Sequence, residues 1–495
     1  MKIYIILFFC LIYTLGKTQN RNSVWCFGDS AKIDFSDSLN IQIGKSSQKS
    51  RGSCASISDT LGSLLFYTSY DPTVLIGGTD PIKVFNNNNQ IILNGDSIKG
   101  GGWYRELLIL PYPGSDTLFY LFNIGVTHDF GLYYSIIDKS SNEIIQKNLQ
   151  LESFKPVDCL IALKHGNGRD WWILLRRLDS SFNPNNDYYK YLITPYGISQ
   201  TVQNIGSLNS TNSGRISFNS TGDRMCYINY KGLIELYNFD RCTGYLSTPI
   251  TISQETVISP WPAYWSAEFS PSDELLYVTK VAQSITDSSK LFQYNLFSPN
   301  INTSQITLWT TPWTTTIGQL KKAPNNKIYI TTNYYQIYPY QDTMYNSINM
   351  NLSTINSPDS LGFACDLQPF GFYLGGARSY VGLPNNPDYD LEALAGSPCD
   401  SLTSLSEVTI VSDAELFVYF DTNWQTAFIN GNKLTGTKYQ LEVFDLIGKS
   451  IFRESGNITS PYYTKNLNCA GFAKGMYVVN LVTDKERLVK RFVVR

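Results

Sequence analysis

Few residues in this sequence could do covalent or metal chemistry, and their spacing narrows the choice further. His128 and His165 are the two histidines in 495 residues, and no H-x-x-H or C-x-x-C pair occurs, so a zinc centre has few ligands to draw on. Cys159 and His165 could suggest a thiol and its base. The run CLIALKHGNG sets Cys159 at a strand entrance and His165 in the following turn, about 20 Å apart at ~3.3 Å per residue. They read as a structural thiol and a turn histidine. Gly100-Gly101-Gly102 lacks the Lys-Ser/Thr of a phosphate loop and reads as turn glycine. Aspartate-rich turns such as Ser220-Thr221-Gly222-Asp223 have oxygen ligands suited to Ca²⁺ but not the EF-hand spacing, and Asp commonly stabilises its own turn. No cofactor is expected, with calcium the one ion these turns could serve. Glu106, Asp158 and Glu268 are the carboxylates that a glycosidase or lyase reading would use, and a glycosidase needs two of them about 5 to 9.5 Å apart.

Five short segments hold a richer constellation: GGGWYRE from Gly100, KPVDC from Lys155, NSGR from Asn212, SPWPAYW from Ser259 and TTPWTTT from Thr311. If they converge, Trp103, Tyr104, Trp261, Tyr264, Trp265 and Trp313 meet near Arg105, Asp158 and Arg215. Aromatic planes stack on sugar faces or peptide side chains, and arginine adds hydrogen-bonding forks. The competing role for the tryptophans is packing between repeated sheets.

Convergence requires a closed repeat, and the chain contains one. A phrase of apolar residues, a polar turn and an aromatic strand recurs six times: ASISDTLGSLLFYT, LLILPYPGSDTLFYLF, IALKHGNGRDWWIL, RISFNSTGDRMCYI, AEFSPSDELLYVT and QLKKAPNNKIYIT. Its anchors Tyr67, Tyr120, Trp172, Tyr227, Tyr277 and Tyr329 are spaced by 53, 52, 55, 50 and 52 residues. Alternating strands such as GLYYSIID and GLIELYNFD follow most copies, which predicts four-stranded antiparallel units. Such a unit buries both faces by stacking on neighbours, and ring closure removes open edges, so residues 24–390 are expected to form a β-propeller of about seven blades. The phrase has no clear seventh copy. The last blade is expected from the segment after Met350, including GFACDL and GFYLGG, with VWCFGDSAKIDF closing the ring. The inner strands then line a channel, and the five aromatic segments enter it from one face.

Composition agrees with a rigid exported fold. Charged residues make up 16% and aromatic residues 14%, and the net charge of −2 leaves no basic field for nucleic acid. MKIYIILFFCLIYTLGKTQ has Lys2 before an apolar run too short to span a bilayer, as in a signal peptide over residues 1–18. The mature chain keeps eight cysteines, and no transmembrane span is expected in it. In the hairpin turning at Lys231-Gly232, cross-strand positions sum to about 463, so Cys226 and Cys242 would not face each other. The five N-x-S/T sequons carry no functional weight.

Two resemblances follow. Phrases such as ISFNSTGDR and EFSPSDEL, with Trp25-Cys26-Phe27-Gly28 and the run from Gly52 to Thr68, resemble the WD-repeat-like propellers of exported bacterial proteins, a group that implies no agreed activity. After Pro384-Asn385-Asn386-Pro387 the blade rhythm stops, a linker is expected over 391–406, and short alternating strands fill 407–495. That tail resembles the C-terminal sorting domain of type IX secretion, which implies an immunoglobulin-like β-sandwich. The matching positions are Asp445, Gly448 and Lys449, then Gly475, Tyr477 and Val479, then Lys490, Arg491 and Val494. The resemblance implies outer-membrane type IX secretion machinery as a partner and a secreted or surface-attached location. The expected function is a non-catalytic binding or adhesion protein recognising glycan or protein at the propeller face, and the alternative is a secreted glycan-active enzyme.

Overall fold

A computed structural model of the chain describes residues 20–70, 82–101, 105–179, 183–256, 258–260, 262–334, 344–400, 414–445 and 449–494. The signal-peptide segment 1–18 and the site candidates Trp103, Tyr104, Trp261 and Gly448 lie outside the described residues. Two compact units divide the chain, 1–404 and 405–495.

In the first unit seven antiparallel sheets follow one another, at 24–49, 56–86, 107–152, 161–209, 214–253, 264–312 and 315–373. Each is one blade, numbered 1 to 7 here in chain order. The six aromatic anchors all fall in the second strands of blades 2 to 7 and all are buried. Those strands, such as Trp171–Arg176 and Leu275–Lys280, are buried on nearly every residue because a neighbouring blade covers each face. Fourth strands lie at the rim, and Glu143–Glu152 is mostly half-buried or exposed. In blade 5, Cys226 pairs with Leu236, so Cys226 and Cys242 do not oppose each other.

Two details differ from the sequence expectation. The segment after Met350 does not make a separate blade: Asn351–Ile355 and Leu367–Tyr373 complete the blade begun by the sixth phrase. The seventh sheet is the N-terminal one, Val24–Phe27 with Asp29–Asp34 and Gln42–Lys49. It lacks the phrase because its second strand, Asp29–Asp34, has no aromatic anchor. Blades 1 and 2 also have three described strands, not four. Trp25, Phe27, Ile33 and Phe35 of blade 1 pack on Tyr329, Leu352 and Leu374 of blade 7, and backbone bonds between Asp29 and Arg378 sew the seam. The ring is therefore closed.

The end of the expected propeller segment and the start of the linker expected over 391–406 are both held by the ring. From Arg378 to Asp388 the chain runs extended through the axial channel, and from Tyr389 to Cys399 it continues through turns at the half-buried channel mouth; this strap bonds to every blade. Val381 N–H donates to Arg51 O beside blade 1, and Val381 O accepts from Gln319 N–H of blade 7 and the Trp265 indole of blade 6. Asn385 donates through its main chain to Cys54 O beside blade 2, and through its side chain to Leu107 O of blade 3 (3.2 Å) and Leu160 O beside blade 4 (2.9 Å). Asn386 accepts from Ser56 N–H and donates to Asn22 Oδ1. Tyr389 OH donates to Ile109 O, while Arg241 of blade 5 donates to Glu392 O. Residues 381–387 are buried throughout. Pro384 and Pro387 hold an extended backbone and bring no N–H that the channel would have to satisfy. Residues 391–400, expected as linker, are anchored to the ring by Leu394 N–H on Gly166 O and by a Cys242–Cys399 disulfide.

The second unit is a sandwich of a three-stranded and a four-stranded sheet. Glu415–Asp421, Thr426–Asn432 and Tyr463–Asn468 form the first sheet, and Ser450–Asn457, Lys438–Phe444, Gly475–Thr483 and Arg487–Val494 the second. Tyr463–Asn468 is the strand that alternation alone did not reveal. Leu416, Ile429, Leu441, Val443, Leu467, Val479 and Leu481 form the core.

Gly382 is where the strap passes closest to the wall: a Cβ there would stand 2.2 Å from the Cα and carbonyl oxygen of Gly52. Both contacts are backbone, so neither can rotate away. Gly382→Ala is expected to destabilise the propeller by about 1–3 kcal/mol or more, read as a fall in thermal midpoint. Gly471→Ala, which meets open space, should change little.

Candidate functional site

The channel brings together most of the described entry-loop residues and buries them. Asp158 is the hub. Its Oδ1 accepts the Arg105 backbone N–H at 2.7 Å, its Oδ2 lies 3.5 Å from Arg215 Nη1, and its carbonyl accepts that same guanidinium at 2.8 Å. The Arg215 guanidinium sits 5.2 Å from the centre of the Trp265 ring, a cation–π contact. Arg105 donates to Ile216 O and to Asn385 Oδ1, each at 3.3 Å. Arg105, Asp158 and Arg215 are buried, and Trp265 is 8% exposed. Burial lowers the Arg105 guanidinium to about 10, with Arg215 adding to the effect, and raises the Asp158 carboxyl against the pull of Arg215. Tyr264, 9% exposed, packs with Phe292 and Tyr294 between blades 5 and 6. Trp313 is half-buried in the turn joining blades 6 and 7. The cluster holds an extended peptide, and that peptide is the chain's own.

The carboxylates of the enzyme reading are Glu106, Asp158 and Glu268, all set among the groups of the channel. Glu106 lies beside Asp158 and, with Arg215 and the Arg105 N–H, opposes the rise that burial imposes on the Asp158 carboxyl. Glu268 faces Lys321, Lys322 and Arg105, which oppose the rise that burial imposes on its carboxyl. Cys159 is buried, its thiol pushed up to about 12 by desolvation. His165 Nδ1 accepts the Asn167 N–H, so Nε2 carries the proton given to Cys242 O. Neither histidine nor thiol engages the other, as their spacing implied. In the aspartate-rich turns, Asn219 Nδ2 donates to both Asp223 and Asp273, and Ser220 N–H donates to Asp273, tying blade 5 to blade 6. Among the described residues no three His, Cys, Asp or Glu side chains are grouped to hold a metal ion.

Sequence reasoning missed the strap and the lysines that grip it. Lys321 Nζ donates to Asn386 O at 2.8 Å and Lys164 Nζ to Tyr389 O. The signal was present: Pro-Asn-Asn-Pro is a rigid extended phrase with donors and acceptors on both sides, and Lys164 and Lys321 stand at the ends of inner strands.

In the tail unit the motif residues build one end of the sandwich. Asp445 Oδ1 accepts the Lys449 N–H between the strands Lys438–Phe444 and Ser450–Asn457. Gly475 pairs with Val494, and Tyr477 stacks on Phe492 while its hydroxyl donates to Ala473 O. Val479 and Val494 are buried, whereas Lys490 and Arg491 are exposed.

Burial lowers the Lys321 ammonium from 10.5 to about 8, partly offset by Glu268. Between those values the unfolded chain holds a proton that the folded chain has released, so this group's contribution to stability rises with pH across that window. The unfolding free energy of the parent, relative to Lys321→Met, is expected to increase from pH 8 to pH 10 in denaturant titrations. A flat difference would mean that Lys321 titrates as an exposed lysine.

Comparison with known proteins separates the two units. No curated protein matches the chain. Solved structures of similar architecture include a protein provisionally assigned as a 6-phosphogluconolactonase from Bacteroides fragilis, with TM-score 0.44 and 13% identity over 74% of this chain and 96% of that one. Another is a quinonprotein alcohol dehydrogenase-like protein from Bacteroides thetaiotaomicron, with TM-score 0.40 and 10% identity over 74% and 79%. A third is the Cps50 (Swd1) β-propeller domain of Myceliophteria thermophila, with TM-score 0.30 and 11% identity over 58% and 78%. Likeness at this level bears on no activity of this chain. No helix among the described residues is long and apolar enough to cross a membrane. The tail is decisive: residues 425–495 match the secretion system C-terminal sorting domain family. This chain is an exported β-propeller protein whose type IX secretion C-terminal sorting domain directs it to the cell surface.

Proposed function

We propose that the propeller is a non-catalytic binding or adhesion module displayed outside the cell, recognising glycan or protein through the face on which its entry loops lie. The observation that carries this reading is the strap. It occupies the channel where a propeller enzyme would place a substrate, and its Asn385 takes up the polar groups of Arg105, Leu107 and Leu160 there. In this reading Arg105, Asp158, Arg215, Tyr264 and Trp265 hold the entry loops from beneath. Trp103, Tyr104, Trp261 and Trp313 supply the aromatic contacts, since rings on loops give contact area at low entropic cost.

Trp313→Ala tests the recognition half. A stacked ring contributes about 0.5–1.5 kcal/mol beyond its buried area, so affinity should fall roughly two- to tenfold on glycan or peptide arrays while the melting temperature stays near the parent's. Absence of any ligand for the parent, with a large fall in melting temperature for the variant, would reassign Trp313 to packing.

The sorting half predicts that removing residues 407–495 leaves a folded propeller in the periplasm, because the two units are separately compact. Fractionation would show periplasmic protein with an unchanged melting profile. Release of the truncated chain into the medium would contradict it.

A further inference from the structure

The strap ends at a covalent bond. Cys399 is joined to Cys242, 157 positions earlier, in the turn between the third and fourth strands of blade 5. Cys26, Cys54, Cys159, Cys226, Cys365 and Cys469 are free and buried, so among the described residues this disulfide is the one cross-link. Its seat is built closely. A Cβ on Gly166 would fall 2.4 Å from Cys399 Sγ and 2.9 Å from Cys242 Sγ. The turn that carries Cys242 is itself clamped: the Trp172 indole donates to Arg241 O at 2.8 Å, and His165 Nε2 donates to Cys242 O at 2.9 Å.

Without that bond, tension from the C-terminal side would meet the strap's contacts in series. Leu394 N–H on Gly166 O comes first, then Arg241 on Glu392 O, Lys164 on Tyr389 O, Tyr389 on Ile109 O, and the bonds of Asn386 and Asn385. Each hydrogen bond contributes only about 1 kcal/mol net, and contacts loaded one after another fail one after another. With the bond closed, tension entering from residue 400 onward leaves the main chain at Cys399, passes through the two sulfurs, and is taken up by the paired strands Ile234–Asp240 and Tyr245–Ser253.

We propose that the Cys242–Cys399 disulfide is a load-diverting latch, which keeps residues 378–398 seated on the ring, and 381–387 in its channel, while the chain is drawn by its C-terminal unit. The physiological meaning rests on the sorting role of that unit. The test reads force alone, so its failure would leave the sorting role intact.

The full chain, tethered through tags at both ends in an optical trap, is pulled before and after treatment with a phosphine reductant. The oxidised chain is expected to show no strap release before the ring ruptures. The reduced chain should show an early low-force step of roughly 70 Å, the length of about 20 extended residues at ~3.5 Å each. Cys399→Ser should behave like the reduced chain; if it does not fold, the reductant arm, applied after folding, still decides. An early step in both redox states, or in neither, would overturn the proposal. Amide exchange without load separates a latch from a folding staple. Val381, Leu383 and Asn385 should stay protected after reduction, and loss of that protection on reduction alone would also overturn it.

Discussion

Filling the hole down the axis is the constraint on which the rest of this propeller depends. Seven inner strands brought edge to axis leave backbone groups and polar side chains facing a narrow space, and buried polar groups without partners are costly. Here the partners come from the chain itself. Two adjacent asparagines suit the task, because each side chain offers donor and acceptor together and can bridge strands with different polarity at that depth. The bonds of Asn385 and Asn386 reach blades 1, 2, 3, 4 and 7. Seven sheets that pack mainly on their neighbours thus share one central partner.

The buried charges follow from the same constraint. Arg105, Asp158 and Arg215 could not remain in a dry channel unpaired, since desolvation of an isolated ion costs several kcal/mol. They occur as a network in which each charge has an opposite charge, a carbonyl or an aromatic face. Lys321 solves the problem differently, by a lowered proton affinity and a carbonyl acceptor. The network is a polar lining fitted to a permanent occupant.

The fold was readable wherever a local pattern has a single physical cause. Second strands covered on both faces must be apolar throughout, so Tyr67, Tyr120, Trp172, Tyr227, Tyr277 and Tyr329 recur at a blade's period and are all buried. The tail was readable because its motif from Asp445 to Lys449 and the alternation of Tyr477, Val479 and Leu481 are likewise local. Blade 1 was harder, as its three strands lack the aromatic phrase and its seam with blade 7 joins residues more than 300 positions apart. Residues to 390 were assigned to the propeller without their seat in the channel, and those from 391 were read as linker, because Pro, Asn and Gly are common to exposed linkers and to extended segments buried in a polar channel. Composition cannot distinguish the two when the distinguishing partners, Cys54, Leu107, Leu160 and Lys321, come from four other blades. The same distance hid the pairing of Cys242 with Cys399. Among the site candidates, the meeting of Arg105, Asp158, Arg215 and Trp265 was foreseeable from repeat geometry, but their burial was not, because it is the strap that covers them.

Ring-shaped repeat folds diversify readily by gaining or losing a repeat, since each unit contacts only its two neighbours and the circle can widen by one. A threaded axis removes that freedom. An eighth blade would enlarge the bore and draw Leu107, Leu160 and Ser56 away from the two asparagines together, while a sixfold ring would have no room for Gly382 against Gly52. The copy number of this propeller is therefore held by a segment outside all of its blades. Variation in such a protein is open to the loops and the rim, where change leaves the bore as it is.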